Sequence, residues 1–328
     1  MDQLDCVVCG NLVADIIGRP VDALVPKHNA GHTRLEEVRL FTGGFGSNVS
    51  VALAKLGGRA GVLGRLGNDE WRDVIMHRLR RHGVDTAELI TDASEQTSAT
   101  IVCVDSTGER TFYHALGAQK NLSTMDVLNR LPYLRRARVF ALGYYGILPA
   151  MEKDLPAMLK RLKNEASLTT ILDTCGSVQP TLPDLARSLP YVDFFIPNHH
   201  EARVLTGLTD PIEVIKVFRD NGARGVVGVK LGGEGCLLDD GSRSVRAPAF
   251  PVERVVDTTG AGDSFLAGII TAHLHGFDLE QMARFANAVG SCCVQALGAS
   301  TGIRSFEQTM VLLGPQPATR GSRLTPQV

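Results

Sequence analysis

Residues Val255–Phe265 read VVDTTGAGDSF and run on into LAGIITAHLHG, so a glycine-rich turn flanked by two aspartates opens a helix. One reading is structural: Gly260 and Gly262 make the turn, and Asp263 or Ser264 caps the helix. The other is chemical. A glycine turn feeding a helix N-terminus aims several unpaired backbone N–H groups at one point and binds anions there. A carboxylate beside a bound phosphate is repelled unless a metal or a proton transfer gives it work, so Asp263 fits chemistry better than a cap.

Outward from this stretch, short β-type runs alternate with helical patterns: LDCVVCG, the helix NVSVALAKLGG, AGVLGRLG, the helix EWRDVIMHRLRRHG, then RVFALG, TTILD, VDFFIP and GVVGVKL. Such alternation predicts an α/β fold with a parallel sheet covered by helices. Two regions break it, about 16–42 and about 96–115 (QTSATIVCVDSTGERTFYHA), with alternating polarity and no intervening helix. They are expected to pair into a small separate sheet.

The 328 residues, 44% of them hydrophobic in type, suffice for a large core in one big domain. A net charge of -1 gives no broad cationic surface, which disfavours nucleic acid and anionic membranes and leaves small molecules as partners. Seven cysteines, an odd number spread along the chain, read as reduced core thiols of a cytoplasmic protein. Cys6 and Cys9 form a C-x-x-C inside an apolar run, better read as a buried strand than as half of a zinc site. Cys292 and Cys293 read as helix core. The N-terminal MDQLD carries acids where a signal peptide needs bases, and no apolar run has the length of a membrane span. There is no Walker A lysine loop and no complete G-x-G-x-x-G after a strand, so P-loop and dinucleotide readings lose support. The final GPQPATRGSRLTPQV is polar and rich in proline and glycine, as a loose tail would be.

A second informative stretch is FTGGFGSNVSVALAKLGG, Phe41–Gly58, where Gly43 and Gly44 precede a helix expected to begin around Ser47 and to end at Gly57 and Gly58. Structurally this is a helix start and its C-cap. Functionally, paired glycines let a ligand approach the backbone, and Asn48 offers a donor and an acceptor. Asp15, in GNLVADIIG just after the first strand, adds force, because open α/β sheets bind ligands at strand ends.

DTTGAGDSF and GGFGSNVSVALAKLGG resemble the two signatures of the ribokinase-like (PfkB) carbohydrate kinases and occur in the family's order. Further matches lie in GNLVAD, PNHHEARVLTG, KLGGEG and FANAVGSCCVQALGAS, so the resemblance covers about residues 4–306. It implies a three-layer fold, a mainly parallel central sheet flanked by helices, with a small β-sheet lid. The kinase domain would span 1–310, with lid insertions at about 16–42 and 96–115, and 311–328 would be a flexible tail. The implied activity is ATP-dependent phosphoryl transfer. Asp263 would be the base that takes a substrate hydroxyl proton, and the backbone of Gly260, Ala261 and Gly262 the anion hole.

By the same resemblance, Asn198 and Glu201 match an N-x-x-E motif that holds water around Mg²⁺, with His199 and His200 as bystanders. Lys230, Gly232 and Gly235 would lie against the nucleotide, and Asn287 would border the adenine. A threonine or serine is commoner where Lys230 stands; here the lysine either reaches a phosphate or is solvated. Asp15, Gly43, Gly44 and Asn48 would grip substrate hydroxyls beneath the lid, whose His114 either touches substrate or is a half-buried strand residue. The counterpart of Asp257 helps bind a monovalent cation, so stimulation by potassium (K⁺) is expected.

Ribokinases tend to carry lysine where this chain has Phe45, and RTFYHALGA lacks the Tyr-Tyr-Arg run of many ketodeoxygluconate kinases. The expected acceptor is therefore the hydroxymethyl group of an unspecified sugar. A nucleoside kinase and a catalytically weak sugar sensor of the same fold are the alternatives, although the chain retains both base and anion hole. Lid strands offer a route to a homodimer.

Overall fold

The computed structural model describes residues 3–22, 34–107, 109–175 and 181–314. Among these, fourteen strands numbered in chain order form three sheets. The largest contains β1 (Cys6–Cys9), β4 (Ala60–Leu63), β9 (Val139–Tyr145), β10 (Thr169–Thr174), β11 (Phe194–Phe195), β12 (Val226–Lys230), β13 (Cys236–Asp239) and β14 (Ser244–Ala247). Its order is β14-β13-β12-β11-β10-β9-β1-β4. From β12 to β4 every pairing is parallel, while β13 and β14 close the edge antiparallel. The sequence reading had no place for this edge hairpin, whose strands of four residues are too short for a clear period-2 pattern.

The unbroken apolar run CVVC makes sense in a sheet covered on both faces. Val7 and Cys9 join the core on one side, and Cys6 and Val8 the core on the other. The two thiols thus point to opposite faces and cannot share a zinc ion. On the first side pack α3 (Thr124–Leu128), α4 (Leu131–Leu134), α5 (Pro149–Glu152), α6 (Leu155–Ala166), α7 (Leu182–Ala186), α8 (His199–Thr206) and α9 (Pro211–Asp220). In α6 the buried residues Leu155, Met158, Leu159 and Leu162 recur at helical spacing and make a single stripe. On the second side lie α1 (Phe45–Lys55), α10 (Ala261–Leu274), α11 (Leu279–Cys293) and α12 (Phe306–Leu313). Helix α10 is apolar nearly all round because α11 and α1 flank it and its remaining face shares a core with the sheet. A third small core joins α2 (Glu70–Arg81) to α1 and the root of the lid through Leu12, Val51, Ile75 and Leu79.

The lid is a four-stranded sheet, order β3-β2-β7-β8, made of β2 (Val13–Arg19), β3 (Glu37–Gly43), β7 (Ser98–Val104) and β8 (Arg110–Ala115). Asp15 lies opposite Phe41 on one neighbour and Thr100 on the other, and Thr100 lies opposite His114. Strands β5 (Arg65–Leu66) and β6 (Ile90–Thr91) form the remaining pair.

Several boundaries differ from expectation. The lid begins at Val13 rather than at about 16, so Asp15, expected at the end of the first strand, sits within a lid strand. Helix α1 starts at Phe45, two residues before Ser47, because its first amides are satisfied from outside the helix by Asn11. Helix α12 continues to Leu313, past the expected domain end at 310, held by a Ser305–Gln308 capping box. Residues 23–33 of the first lid insertion and 315–328 of the tail lie outside the described residues.

Candidate active site

Helix α10 opens at Ala261, with Gly260 as N-cap at φ 74°, ψ 4° and no side-chain cap. Neither Asp263 nor Ser264 caps it; both are buried inside the first turn. Gly260 is required twice over. Its φ is left-handed, and a Cβ there would stand 2.5 Å from the carbonyl oxygen of Ala299. The Ala261 amide bonds to the Thr258 carbonyl at 3.2 Å and the Ser264 amide to the Gly260 carbonyl at 2.8 Å. The amides of Gly262 and Asp263 find no acceptor among the described residues, which leaves two donors and the positive end of a helix of 14 residues aimed at one point.

Asp263 itself is held by two donors. Asn48 Nδ2 donates to Oδ2 at 2.7 Å, and the Tyr144 hydroxyl lies 3.0 Å from Oδ1 and 2.9 Å from Oδ2. Burial pushes its pKa up, Asp173 adds to the rise, and Asn48, Tyr144 and Lys230 pull against it. Asn48, expected on substrate, thus spends its amide on the base.

Behind the anion hole, Lys230 Nζ lies 3.0 Å from Asp173 Oδ1, both side chains buried. The solvated alternative for Lys230 is therefore overturned. Burial works against its charge, but Asp173 and Glu201 outweigh it and hold the lysine cationic. A Cβ on Gly262 would come 3.3 Å from that ammonium, so bare backbone and a cation share one spot. Glu201 completes the cluster. It forms a capping box with Asn198 at the start of α8 and accepts from the Thr174 hydroxyl at 2.9 Å. His199 and His200 are exposed, and His199 Nε2 sits 2.8 Å from the Thr209 carbonyl, away from this cluster.

Two cavities meet at the turn before α10. One, of about 570 Å³, is lined by Asn198, Lys230, Gly232, Gly235, Ala261, Gly262 and Asn287, together with Phe250, Val252 and Val294. The other, of about 670 Å³, lies under the lid and is lined by Asp15, Gly44, Thr100, His114, Arg110 and Tyr144 with Ile17, Phe41, Phe112 and Leu297. The turn is divided between them: Val255, Thr258 and Ala261 face the first, Val256, Asp257 and Thr259 the second.

In the lid cavity, Gly43 does not line the wall; its missing side chain makes room for the Asp15 carboxylate, which a Cβ would overlap. Burial raises the Asp15 pKa to about 6, against the pull of the Thr100 hydroxyl. His114 lines the cavity and its Nδ1 sits 3.0 Å from Thr100 Oγ1. Asp257 is engaged from three sides. Its Oδ1 meets Arg110 Nη2 at 2.9 Å and the Thr259 amide at 2.8 Å, and its Oδ2 meets the Gly298 amide at 2.9 Å. Burial opposes its charge, yet these donors hold its carboxyl below the usual range. Tyr144, Asp173 and Arg110 escaped the sequence reading, since only folding brings them to the turn and the head of α10, and so did Asn11, which meets the start of α1 and lines the lid cavity.

The profile of the pfkB family carbohydrate kinases matches residues 3–305. The chain belongs to the pfkB family of carbohydrate kinases. It is 30% identical over 299 residues to the 2-dehydro-3-deoxygluconokinase of Bacillus subtilis (strain 168), covering 86% of this chain and 90% of that protein. Against the ribokinase of the same organism it is 26% identical, over 83% of this chain and 87% of that one. Among solved structures, Arabidopsis thaliana ribokinase complexed with ribose and ATP aligns with a TM-score of 0.85 at 28% identity, covering 96% of this chain and all of that one. In this pfkB kinase no helix among the described residues is long and apolar enough to cross a membrane.

Proposed function

We propose that the protein transfers the γ-phosphoryl group of ATP to a hydroxymethyl group of a sugar held under the lid. The observation that carries this reading is that one turn lends residues to both cavities, with unpaired amides at its end and Asp263 bonded to Tyr144 of the lid-cavity wall. The 570 Å³ cavity suits a nucleotide: Gly232 and Gly233 leave open space, and Lys230 with the bare Gly262 backbone matches a phosphate. ATP, when bound there, supplies the phosphoryl group and leaves as ADP. Asp263 takes the acceptor hydroxyl proton as that oxygen bonds to phosphorus, while the α10 amides and Lys230 stabilise the charge gathered around the transferring group. Mg²⁺ arriving with the nucleotide would be held through water by Asn198, which lines the 570 Å³ cavity, and by Glu201, its partner in the capping box, and would neutralise phosphate charge there.

Asp15 accepts hydrogen bonds from acceptor hydroxyls, helped by Gly44 and His114. A neutral sugar fits better than an acidic one, because the arginines on the wall are already paired: Arg19 and Arg39 with Glu37, Arg110 with Asp257. The apolar breadth of the cavity, with Phe41 and Phe112, favours a nucleoside as the second reading. The test is a panel of neutral sugars, 2-dehydro-3-deoxygluconate and nucleosides assayed for ATP-dependent phosphorylation at the hydroxymethyl group. Turnover of none of them would sink the reading.

Asp257 is also the residue through which potassium would act. The Arg110 guanidinium already neutralises it, so we expect weak stimulation at most, read by comparing rates in potassium and in a bulky organic cation. The outer lid face exposes Val38, Ile101 and Tyr113, and we assign a second copy of the chain to it, to be checked by sedimentation. The seven cysteines form no disulfide, which fits a cytoplasmic location.

A further inference from the structure

Tyr144 touches both the base and the acceptor cavity. We infer that Tyr144 is a positioning residue for Asp263: its hydroxyl holds the carboxylate ionised and correctly turned at the wall where the acceptor hydroxyl arrives. This rests on the phosphoryl-transfer reading above.

Its geometry is specific. The hydroxyl straddles both carboxylate oxygens, at 3.0 Å and 2.9 Å, while Asn48 Nδ2 adds a second donor to Oδ2 at 2.7 Å. Oδ1 therefore keeps the larger spare capacity for an incoming hydroxyl. The phenol ring is wedged in place. Phe45, fully buried, packs edge-on against it with centroids 5.6 Å apart and planes at 67°. A side chain on Gly143 would overlap the Phe45 ring, so a residue without one stands there and the wedge can form.

The chemistry needs such a donor. Asp263 is buried, with Asp173 of β10 beside it, the Lys230 ammonium of β12 and Glu201 of α8 behind that pair, and the thiols of Cys293 on α11 and Cys175 after β10 nearby. A buried carboxyl facing another carboxylate tends to keep its proton, and a base that holds a proton cannot take one. Two neutral donors offset this without adding a cation that would compete for the phosphate. Burial and the charges of Asp263 and Asp173 push the Tyr144 pKa well above its ordinary value, so the phenol stays a donor throughout neutral pH.

The experiment is Tyr144→Phe, which keeps the ring and removes only the O–H. The expected result is an unchanged KM for ATP, a kcat lowered roughly 10- to 100-fold, and the acidic limb of the kcat/KM profile displaced upward by about one pH unit. In an Asp263→Asn background the same change should cost less than about threefold, since the phenol acts through the carboxylate. An unmoved acidic limb, or the full loss repeated in the Asp263→Asn background, overturns the inference. Should Tyr144→Phe fold poorly, fluorotyrosine at the same position preserves packing and strengthens the donor, and must shift the limb downward. If Asp263→Asn is severely impaired while Tyr144→Phe matches wild type, the kinase reading stands and the role of Tyr144 falls. If Asp263→Asn itself turns over normally, both fall together.

Discussion

Helices α1 and α10 start alike and end up doing opposite things. Each follows a glycine with positive φ, 81° at Gly44 and 74° at Gly260, and neither has a side-chain cap of its own. The first two amides of α1 are nonetheless consumed: Phe45 N–H donates to Asn11 Oδ1 at 2.8 Å and Gly46 N–H to the Asn11 carbonyl at 2.9 Å. Those of α10 at Gly262 and Asp263 are not. A glycine turn before a helix is thus only a latent anion site. Whether it becomes one depends on whether a neighbouring side chain has already taken its donors.

The largest expected effect separates the two helices at their chemistry. Asp263→Asn should keep fold and nucleotide binding while lowering turnover by roughly 10² to 10⁴. Activity within a few-fold of wild type would remove α10 from the reaction and leave the two helix starts equivalent.

A smaller effect tests the lid side. Asp15→Asn should lower kcat/KM for the preferred acceptor at least about tenfold and leave ATP affinity unchanged, because a carboxylate accepts from two hydroxyls and an amide from fewer. It also has a stability signature. Burial lifts the pKa of the folded Asp15 carboxyl from an ordinary 3.8 to about 6, so its ionisation costs the wild type stability as pH rises through that window. The variant should therefore match wild type in Tm near pH 4 and exceed it above pH 7, each to be read in thermal melts. A variant less stable than wild type at high pH would contradict the burial of that charge.

The smallest effect addresses α1 directly. Asn11→Ala removes the acceptor for the Phe45 amide and should cost about 1–2 kcal/mol of stability, seen as a Tm lowered by about 1–3 degrees; because Asn11 also lines the lid cavity, KM for the acceptor can rise, but kcat should change by no more than a few-fold. A large loss of kcat at unchanged Tm would mean that α1 also carries chemistry, and the contrast with α10 would dissolve.

Much of this was legible in the chain itself. Unbroken apolar runs between helical stripes, and alternating polarity in the two lid regions, are local signals, so the layered α/β fold, the separate lid sheet and the glycine turn at 260–262 could be read from short windows. Asp263 stood out because a carboxylate beside an anion hole is anomalous wherever it occurs. What tertiary structure alone decided was how each polar group is spent. Asn48 serves the base across 215 residues of sequence, Arg110 reaches from the lid to Asp257, and Lys230 is buried on Asp173 rather than solvated. No local pattern encodes these choices, because a donor goes to whichever acceptor the packed chain brings within about 3 Å. Burial then sets what an unsatisfied one costs.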